Sequence, residues 1–261
     1  MSACTREEWM TVAAARQLWD GCICFVGIGL PSAACNLARL IHAPDLVLIY
    51  ESGTLGTRPD VLPLSIGDGE LALTAACVVP LPEVFSYYLQ AGRVDVGFLG
   101  AAQIDRFGNL NSTVIGPYEA PQVRLPGAGG APEIAMHARQ TFVMLKASPR
   151  SFVAELDFRT TAGYLQGAGA RARCGMPGGG PRSVITDFGM LSPHPKTQEL
   201  QLSALFAGVG VEEARAAVGW PLARAAHVGL IDPPDAAELE ALRALNARTR
   251  EAHARAIPLP L

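Results

Sequence analysis

The order of apolar runs and helical patterns in the first fifty residues constrains the fold most strongly. Residues 22–30 (CICFVGIGL) form a short run rich in β-formers, and residues 31–42, which begin with Pro31, have a helical pattern. A second apolar run, residues 47–50 (VLIY), follows. Runs that are apolar throughout are typical of strands buried on both faces. A strand, a helix and a strand in this order form a βαβ unit, which predicts a parallel sheet.

Similar patterns recur along the rest of the chain. Further strands are predicted at residues 70–81, 94–105, 141–148, 150–158, 183–191 and 200–208. We therefore expect an α/β fold with a mostly parallel sheet flanked by helices. The organisation that we expect is one domain over residues 1–233, with a charged, helical C-terminal tail over residues 234–261 packed on it.

Composition limits the kinds of partner. Hydrophobic residues make up 49% of the chain and charged residues 17%, with 21 basic and 24 acidic side chains and a net charge of −3. This balance offers neither a basic surface for nucleic acid nor a polybasic segment for anionic lipid. The charged share of 17% is below the usual value of about 25%. We therefore expect a partner to cover part of the surface.

The N-terminus and the cysteines predict a cytoplasmic protein. Arg6, Glu7 and Glu8 precede an amphipathic pattern, whereas a signal peptide has a basic region followed by an apolar one. The six cysteines include no CxxC pair, and the five histidines are scattered. We expect reduced thiols, no metal site and no membrane-spanning segment.

The turn after the first strand allows two interpretations. Gly27 and Gly29, followed by Glu51 after the second strand, have the layout of a dinucleotide-binding fingerprint. Ser32 stands where that fingerprint has its third glycine, which weakens the assignment of a nucleotide-binding oxidoreductase. In the second interpretation Glu51 itself is functional, because a carboxylate at the C-terminal end of a buried parallel strand lies where α/β sheets bind ligands.

Four motifs in a fixed order favour the second interpretation. They are GIGLP at 27–31, YESGTLG at 50–56, GAAQIDRFGNLNST at 100–113 and GAGG at 127–130. From about residue 8 to residue 235, the chain resembles the beta subunit of family I CoA-transferases, and within that family the glutaconate CoA-transferase type. The resemblance implies a three-layer α/β/α fold and places the family's catalytic glutamate at Glu51.

The resemblance also implies a ping-pong reaction with coenzyme A as a substrate and no tightly bound cofactor. In the family's mechanism, the glutamate attacks an acyl-CoA and forms an acyl–glutamyl anhydride, and the released CoA thiolate converts the anhydride to a glutamyl–CoA thioester. An acceptor carboxylate then reverses these steps. Each step passes through an oxyanion, which nearby N–H donors stabilise.

Ten further residues are candidates for binding the CoA ester or its oxyanion: Gly27, Gly29, Ser52, Gly53, Gln103, Asn109, Asn111, Gly127, Gly129 and Gly130. The glycines leave backbone amides accessible, and Ser52 and Gly53 shape the turn that exposes Glu51. Asn109 fits equally well as a turn residue. Gln103 either faces the site or caps the following loop. The glycine-rich loop 167–180 is either a cover that excludes water or a solvated surface loop.

Activities other than transfer remain open at this point. Relatives on this fold that lack the glutamate act as acyl-CoA hydrolases, ring-opening hydrolases or decarboxylases; Glu51 favours transfer but also permits hydrolysis. A chain of 261 residues has room for one half of the family's two-subunit enzyme, so we expect an alpha-type partner in a hetero-oligomer. The glutaconate-type resemblance implies a dicarboxylic or related acyl group. Arg58, Arg106 and Arg124 either bind its distal carboxylate or are solvated or structural arginines.

Overall fold

A computed structural model describes residues 4–255 of the chain. The α-helices are α1 (Arg6–Ala15), α2 (Leu30–Ile41), α3 (Gly69–Leu73), α4 (Leu81–Glu83), α5 (Ala131–His137), α6 (Ala170–Arg173), α7 (Val211–Ala216) and α8 (Ala236–Arg255), and a π-helix, Val84–Leu89, follows α4. The strands are β1 (Ile23–Phe25), β2 (Val47–Ile49), β3 (Thr54–Leu55), β4 (Cys77–Val78), β5 (Val96–Leu99), β6 (Gln103–Ile104), β7 (Leu110–Asn111), β8 (Val114–Ile115), β9 (Val123–Arg124), β10 (Gln140–Met144), β11 (Pro181–Ile185), β12 (Gly189–Pro193), β13 (Leu200–Phe206) and β14 (Ala223–Ile231). The predicted α/β fold with a mostly parallel sheet and flanking helices is confirmed.

The described chain divides into two compact units. The first comprises residues 4–81 and 234–255, and the second comprises residues 82–233. A single domain over residues 1–233 stays a prediction. The helical tail is seen as α8, which lies in the first unit, while the last six residues of the predicted tail lie outside the described residues.

The first unit contains the predicted βαβ motif. Strands β1 and β2 pair in parallel, with Phe25 opposite Ile49, and β3 and β4 continue the sheet in antiparallel pairs. Pro31 lies in the first turn of α2, where its missing amide breaks no helical hydrogen bond. Helix α2 packs against α1 and α8. The ion pair between Arg16 and Glu238, 2.6 Å long, joins α1 to α8.

The second unit is built on a six-stranded sheet in the order β14-β13-β12-β11-β10-β5. Strand β10 pairs in parallel with β5 and β11, and β13 pairs in parallel with β14, whereas β12 is antiparallel to both of its neighbours. Helix α5 packs closely on β5, since a Cβ atom at Gly97 would lie 2.3 Å from Ile134 Cγ2. Strands β6 and β7 pair as a hairpin, with Gln103 opposite Asn111.

Three segments differ from the sequence prediction. Residues 70–73 belong to α3 rather than to a strand, because Asp68 accepts the Glu70 amide and caps the helix. Residues 150–158 contain one isolated bridge, at Phe152, in place of the predicted strand. Strand β14 was not predicted, since its alanines and Gly229 are weak β-formers and its pairing with β13 stabilises it instead.

Candidate active site

Glu51 lies in a tight turn at the end of β2. The Gly53 amide donates to the Tyr50 carbonyl at 3.0 Å, and the Tyr50 amide donates to the Thr54 carbonyl at 3.1 Å. Gly53 has φ of +102°, and a Cβ atom there would lie 2.0 Å from the Val79 carbonyl oxygen. Because only glycine fits this position, the turn holds the half-buried Glu51 in a defined place.

Tyr50, the residue before Glu51, is anchored by a contact that the sequence did not reveal. Its side chain is fully buried, and its Oη atom lies 2.8 Å from Ser32 Oγ on α2. Burial raises the pKa of Tyr50 although the hydrogen bond to Ser32 opposes this, so the phenol stays neutral. Ser32, considered in the sequence only as a missing glycine, therefore links α2 to the Glu51 turn.

The Glu51 carboxylate has no hydrogen-bond or ion-pair partner within residues 4–255. Beside it, Ser52 Oγ and Thr54 Oγ1 are buried without a hydrogen-bond partner among the described residues. A carboxylate with no cation to neutralise it keeps its lone pairs available for nucleophilic attack.

The loop that contains Gly27 and Gly29 leaves the same sheet edge as the Glu51 turn. Strands β1 and β2 are parallel, and the Val26 amide donates to the Ile49 carbonyl at 3.0 Å just before both loops begin. The amides of both glycines donate no backbone hydrogen bond among the described residues, and no heavy atom lies within 4 Å of their Cβ positions. Two free amides therefore precede the N-terminus of α2, where the helix dipole favours negative charge.

Gln103 and Asn111 face each other across the β6–β7 hairpin. Asn111 Nδ2 donates to Gln103 Oε1 at 2.8 Å, and Gln103 Nε2 donates to Asp157 Oδ2 at 2.8 Å. Asn111 Oδ1 accepts the amides of Thr113 and Val114. Both amide side chains are thus engaged within the second unit, where they hold the loop around residue 157 to the hairpin.

Asn109 is fully buried at the tip of the same hairpin. Its Nδ2 atom donates to Asp105 Oδ2 at 2.7 Å and to the Leu165 carbonyl at 2.8 Å, and its Oδ1 atom accepts the amides of Gly163 and Leu165. Burial raises the pKa of Asp105, although the hydrogen bonds from Asn109 and from the Phe107 amide oppose this. These contacts support the interpretation of Asn109 as a turn residue rather than as a group that binds the CoA ester.

The loop with Gly127, Gly129 and Gly130 connects β9 to α5. Gly127 and Gly129 have φ of +103° and +48°, and Gly130 is the N-cap of α5. Ser112 fixes the loop, because its carbonyl accepts the Gly127 amide and its Oγ donates to the Gly127 carbonyl, both at 2.8 Å. The loop borders a cleft of about 370 Å³ whose lining residues are mostly small and apolar: Gly100, Ala101, Ala102, Ser112, Leu125, Pro126, Gly127, Ala128 and Ala131.

The predicted site residues thus form several groups. In the first unit, Glu51, Ser52 and Gly53 share one turn, and Gly27 and Gly29 share the neighbouring loop. In the second unit, Gln103 and Asn111 share one hydrogen-bond network and Asn109 lies in another. Gly127 lines a cleft, Gly130 is the N-cap of α5, and Gly129 lies in the loop between them.

The glycine-rich loop 167–180 is held in place by Arg171, which the sequence did not single out. Arg171 is 3% exposed and donates to five backbone carbonyls, those of Ala135, Met136, Ala162, Gly163 and Gly178. Desolvation lowers the pKa of Arg171. The loop is therefore tied to α5 and to residues 162–163, which does not support a freely moving cover.

Two kinds of feature are missing from the described part of the chain. Across residues 4–255, no three His, Cys, Asp or Glu side chains group in a way that suits a metal ion. None of the helices in that range combines the length and the apolar character needed to span a bilayer.

Comparison with known proteins places the chain in a family. The family model described as Coenzyme A transferase matches residues 7–216. The chain is 56% identical over 253 residues to the B subunit of 3-oxoadipate CoA-transferase from Pseudomonas knackmussii, covering 97% of both chains. It is 35% identical over 245 residues to the B subunit of glutaconate CoA-transferase from Acidaminococcus fermentans, covering 92% of this chain and 91% of that one.

A solved structure agrees with this result. The crystal structure of glutaconate coenzyme A-transferase from Acidaminococcus fermentans matches with a TM-score of 0.86 at 33% identity, over 92% of this chain and 94% of the matched chain. The resemblance predicted from the four motifs is confirmed, and an enzyme of the transferase class replaces the nucleotide-binding alternative. The chain belongs to the coenzyme A transferase family, as a beta-type subunit of a CoA-transferase.

Proposed function

We propose that this chain transfers CoA between a dicarboxylic acyl-CoA and a free carboxylic acid, with Glu51 as the nucleophile. The observation that carries the proposal is the Glu51 carboxylate, which has no partner among residues 4–255 and lies on a turn that only glycine at position 53 permits. The names of the two relatives specify 3-oxoadipate and glutaconate, which are both dicarboxylic acids. An acid of the 3-oxoadipate type is our specific candidate.

The reaction balances with Glu51 as the only covalent group. A Glu51 carboxylate oxygen attacks the thioester carbonyl carbon, the C–S bond breaks, and CoA leaves as a thiolate. The thiolate then attacks the glutamyl carbonyl carbon of the anhydride, and the donor acid leaves as a carboxylate. An acceptor carboxylate reverses both steps. Each anionic nucleophile releases one anion, so no proton or electron has to be supplied.

The free amides of Gly27 and Gly29 are our candidates for stabilising the oxyanions. They lie at the same sheet edge as Glu51 and at the N-terminus of the twelve-residue helix α2. Backbone donors that are already oriented act on the charge that develops in the transition state, and losing one such donor typically costs about 10²–10³ in rate.

The cleft beside Gly127 is our candidate for binding the narrow, apolar part of the substrate. Its walls are mostly glycine and alanine, which leaves room for an extended chain. Asn111 and Gln103 support it indirectly, because their network holds the hairpin that continues into Ser112, and Ser112 fixes Gly127 through two hydrogen bonds. We propose that the amides of Gln103, Asn109 and Asn111 position loops rather than contact the acyl group.

Arg124 is the candidate that we favour for the distal carboxylate. It directly precedes Leu125 in the wall of the cleft, and its guanidinium lies 4.8 Å from the Tyr118 ring centroid with no carboxylate partner among the described residues. Arg58 instead pairs with Asp45 at 3.7 Å. Replacing Arg124 with Met should raise KM for a dicarboxylic acceptor about tenfold or more. The KM for a monocarboxylic acceptor should stay unchanged. The matched Arg58→Met variant should show neither effect; equal KM changes for both acceptors would contradict this role.

The complete enzyme requires, in our proposal, an alpha-type subunit. The two relatives are named as B subunits, and the matches to them span 97% and 92% of this chain. The purified chain alone should therefore not transfer CoA at the full rate, and addition of the alpha-type subunit should restore it.

Trapping the covalent intermediate tests the nucleophile. The complex with the alpha-type subunit is incubated with acyl-CoA, reduced with borohydride and digested with a protease that cleaves before aspartate, which yields a peptide of residues 45–59. The thioester predicts a reduced side chain at Glu51, and neither modification nor transfer is expected for Glu51→Gln. Glu119→Gln, which alters an exposed glutamate, is the matched control.

Two outcomes would contradict the proposal. One is an unmodified wild-type peptide under turnover conditions, and the other is transfer by Glu51→Gln at the wild-type rate. CoA release that does not depend on an acceptor acid would instead assign the chain to the hydrolases.

A further inference from the structure

One buried contact joins the turn that holds Glu51 to the helix that follows Gly27 and Gly29. Tyr50 directly precedes Glu51, and Ser32 is the third residue of α2, three positions after Gly29. Tyr50 Oη and Ser32 Oγ lie 2.8 Å apart, and both side chains are 0% exposed. The nucleophile and the free amides are therefore each within three residues of the same hydrogen bond.

No backbone hydrogen bond among the described residues joins the two loops themselves. The Val26 amide donates to the Ile49 carbonyl at 3.0 Å, and beyond that point residues 27–29 and residues 50–53 donate no backbone hydrogen bond to each other. The spacing between the loops therefore depends on side chains, and the hydrogen bond between Tyr50 and Ser32 is the contact that spans the gap.

The Tyr50 end of the contact is rigid. Its amide donates to the Thr54 carbonyl and its carbonyl accepts the Gly53 amide, so the turn fixes its backbone. Its hydroxyl is cut off from water and needs a partner inside the protein. Because the turn holds one end of Tyr50 and α2 holds the other, a displacement of α2 is transmitted to the backbone at Glu51.

The Ser32 end is fixed by a chain of hydrogen bonds along α2. Asn36, which is 0% exposed, has its Nδ2 atom 2.9 Å from the Ser32 carbonyl and 3.5 Å from Ser32 Oγ and donates to both. Arg39 Nη2 donates to Asn36 Oδ1 at 3.2 Å and to the Pro59 carbonyl at 3.0 Å. The first two turns of α2 are thus tied to the Glu51 turn on one side and to residue 59 on the other.

We propose that Tyr50 and Ser32 are positioning residues that set the spacing between the Glu51 nucleophile and the oxyanion donors at Gly27 and Gly29. The inference rests on the proposed function, which assigns those roles. Both side chains are fully buried, so each acts through its neighbours in the chain rather than on the substrate. Loss of the contact should therefore slow the chemical steps and leave substrate binding unchanged.

Two single substitutions in the complex with the alpha-type subunit test the proposal. Tyr50→Phe and Ser32→Ala should each lower kcat about tenfold or more, with KM for both substrates changed less than about twofold. Because both half-reactions use the same donors, formation and discharge of the Glu51 thioester should slow by similar factors. Tyr164→Phe is the matched control and should keep its kcat, since it removes a buried hydroxyl that donates to the Pro181 carbonyl in the second unit.

The double variant separates positioning from a loss of folding. Ser32→Ala leaves the Tyr50 hydroxyl buried without this partner, whereas Ser32→Ala combined with Tyr50→Phe removes both polar groups and restores their balance. A role through one shared contact predicts that kcat of the folded double variant is no lower than that of either single variant. A loss that equals the product of the two single losses contradicts it.

The outcomes also separate this inference from the proposed function. Wild-type kcat in Tyr50→Phe and in the double variant, with the Glu51 thioester formed by the wild type, overturns the positioning role alone. A raised KM with unchanged kcat overturns it as well, because the pair would then serve substrate binding. Failure of the wild-type complex to form the thioester overturns the proposed function itself.

Discussion

Replacement of Gly53 by alanine tests whether the backbone of the turn controls the position of Glu51. The new Cβ would lie 2.0 Å from the Val79 carbonyl oxygen, whereas separations below 3.0 Å essentially never occur, so the turn and β4 must separate by about 1 Å. Misplacement of a catalytic group by about 1 Å can cost about 10² in rate. We therefore expect Gly53→Ala to lose about that factor in CoA transfer.

Stability should fall for two separable reasons. The φ of +102° at Gly53 disfavours any L-residue, by about 1–2 kcal/mol, and the clash with Val79 adds about 1–3 kcal/mol typical of overpacking. Gly21 has φ of +72° with no atom within 4 Å of its Cβ position, so Gly21→Ala reports the φ cost alone.

The assay combines urea unfolding with the rate of CoA transfer and the yield of the Glu51 thioester, all in the presence of the alpha-type subunit. We expect the order wild type, Gly21→Ala, Gly53→Ala in falling stability, with a loss of transfer only in the last. If Gly53→Ala matches Gly21→Ala in stability and the wild type in transfer rate, the backbone at Gly53 does not control the position of Glu51.

Three further predictions concern stability. Thr54→Val should leave the free energy of unfolding unchanged or raise it by up to about 1 kcal/mol, because the Thr54 hydroxyl is buried without a partner among residues 4–255; a clear loss in urea unfolding would reveal a partner. Arg171→Met should cost about 3–5 kcal/mol, since it leaves buried carbonyls without their donor, and a cost no larger than that of the exposed Arg173→Met would contradict this. The hydrogen bond from Arg243 lowers the pKa of Glu8 from 4.5 to about 2, so its stabilisation is present above pH 4.5 and is lost as the pH falls towards 2; unfolding of Glu8→Gln should be less pH-dependent in that range, and an unchanged profile would refute the role of this pair.

Much of the fold follows from local patterns in the sequence. The continuous apolar runs around Cys24 and Leu48, with Pro31 at the start of the intervening helix, predicted the βαβ unit correctly. The charged, helical pattern near the C-terminus predicted α8. Residues 70–73 were assigned wrongly, since the cap by Asp68 outweighs the short β-forming run that follows.

The sequence by itself determined the family and the place of Glu51 at the end of a buried strand, because both depend on residue types in a short, ordered stretch. Only the tertiary structure showed how the neighbouring polar groups are used. Asn109 bonds to Leu165, 56 residues away, and Gln103 to Asp157, 54 residues away. Such hydrogen bonds depend on the approach of distant segments, and no local pattern encodes which side chain meets which carbonyl or carboxylate. The same physical reason explains why Gly53 is indispensable: the obstacle is the Val79 carbonyl, which the sheet brings against it.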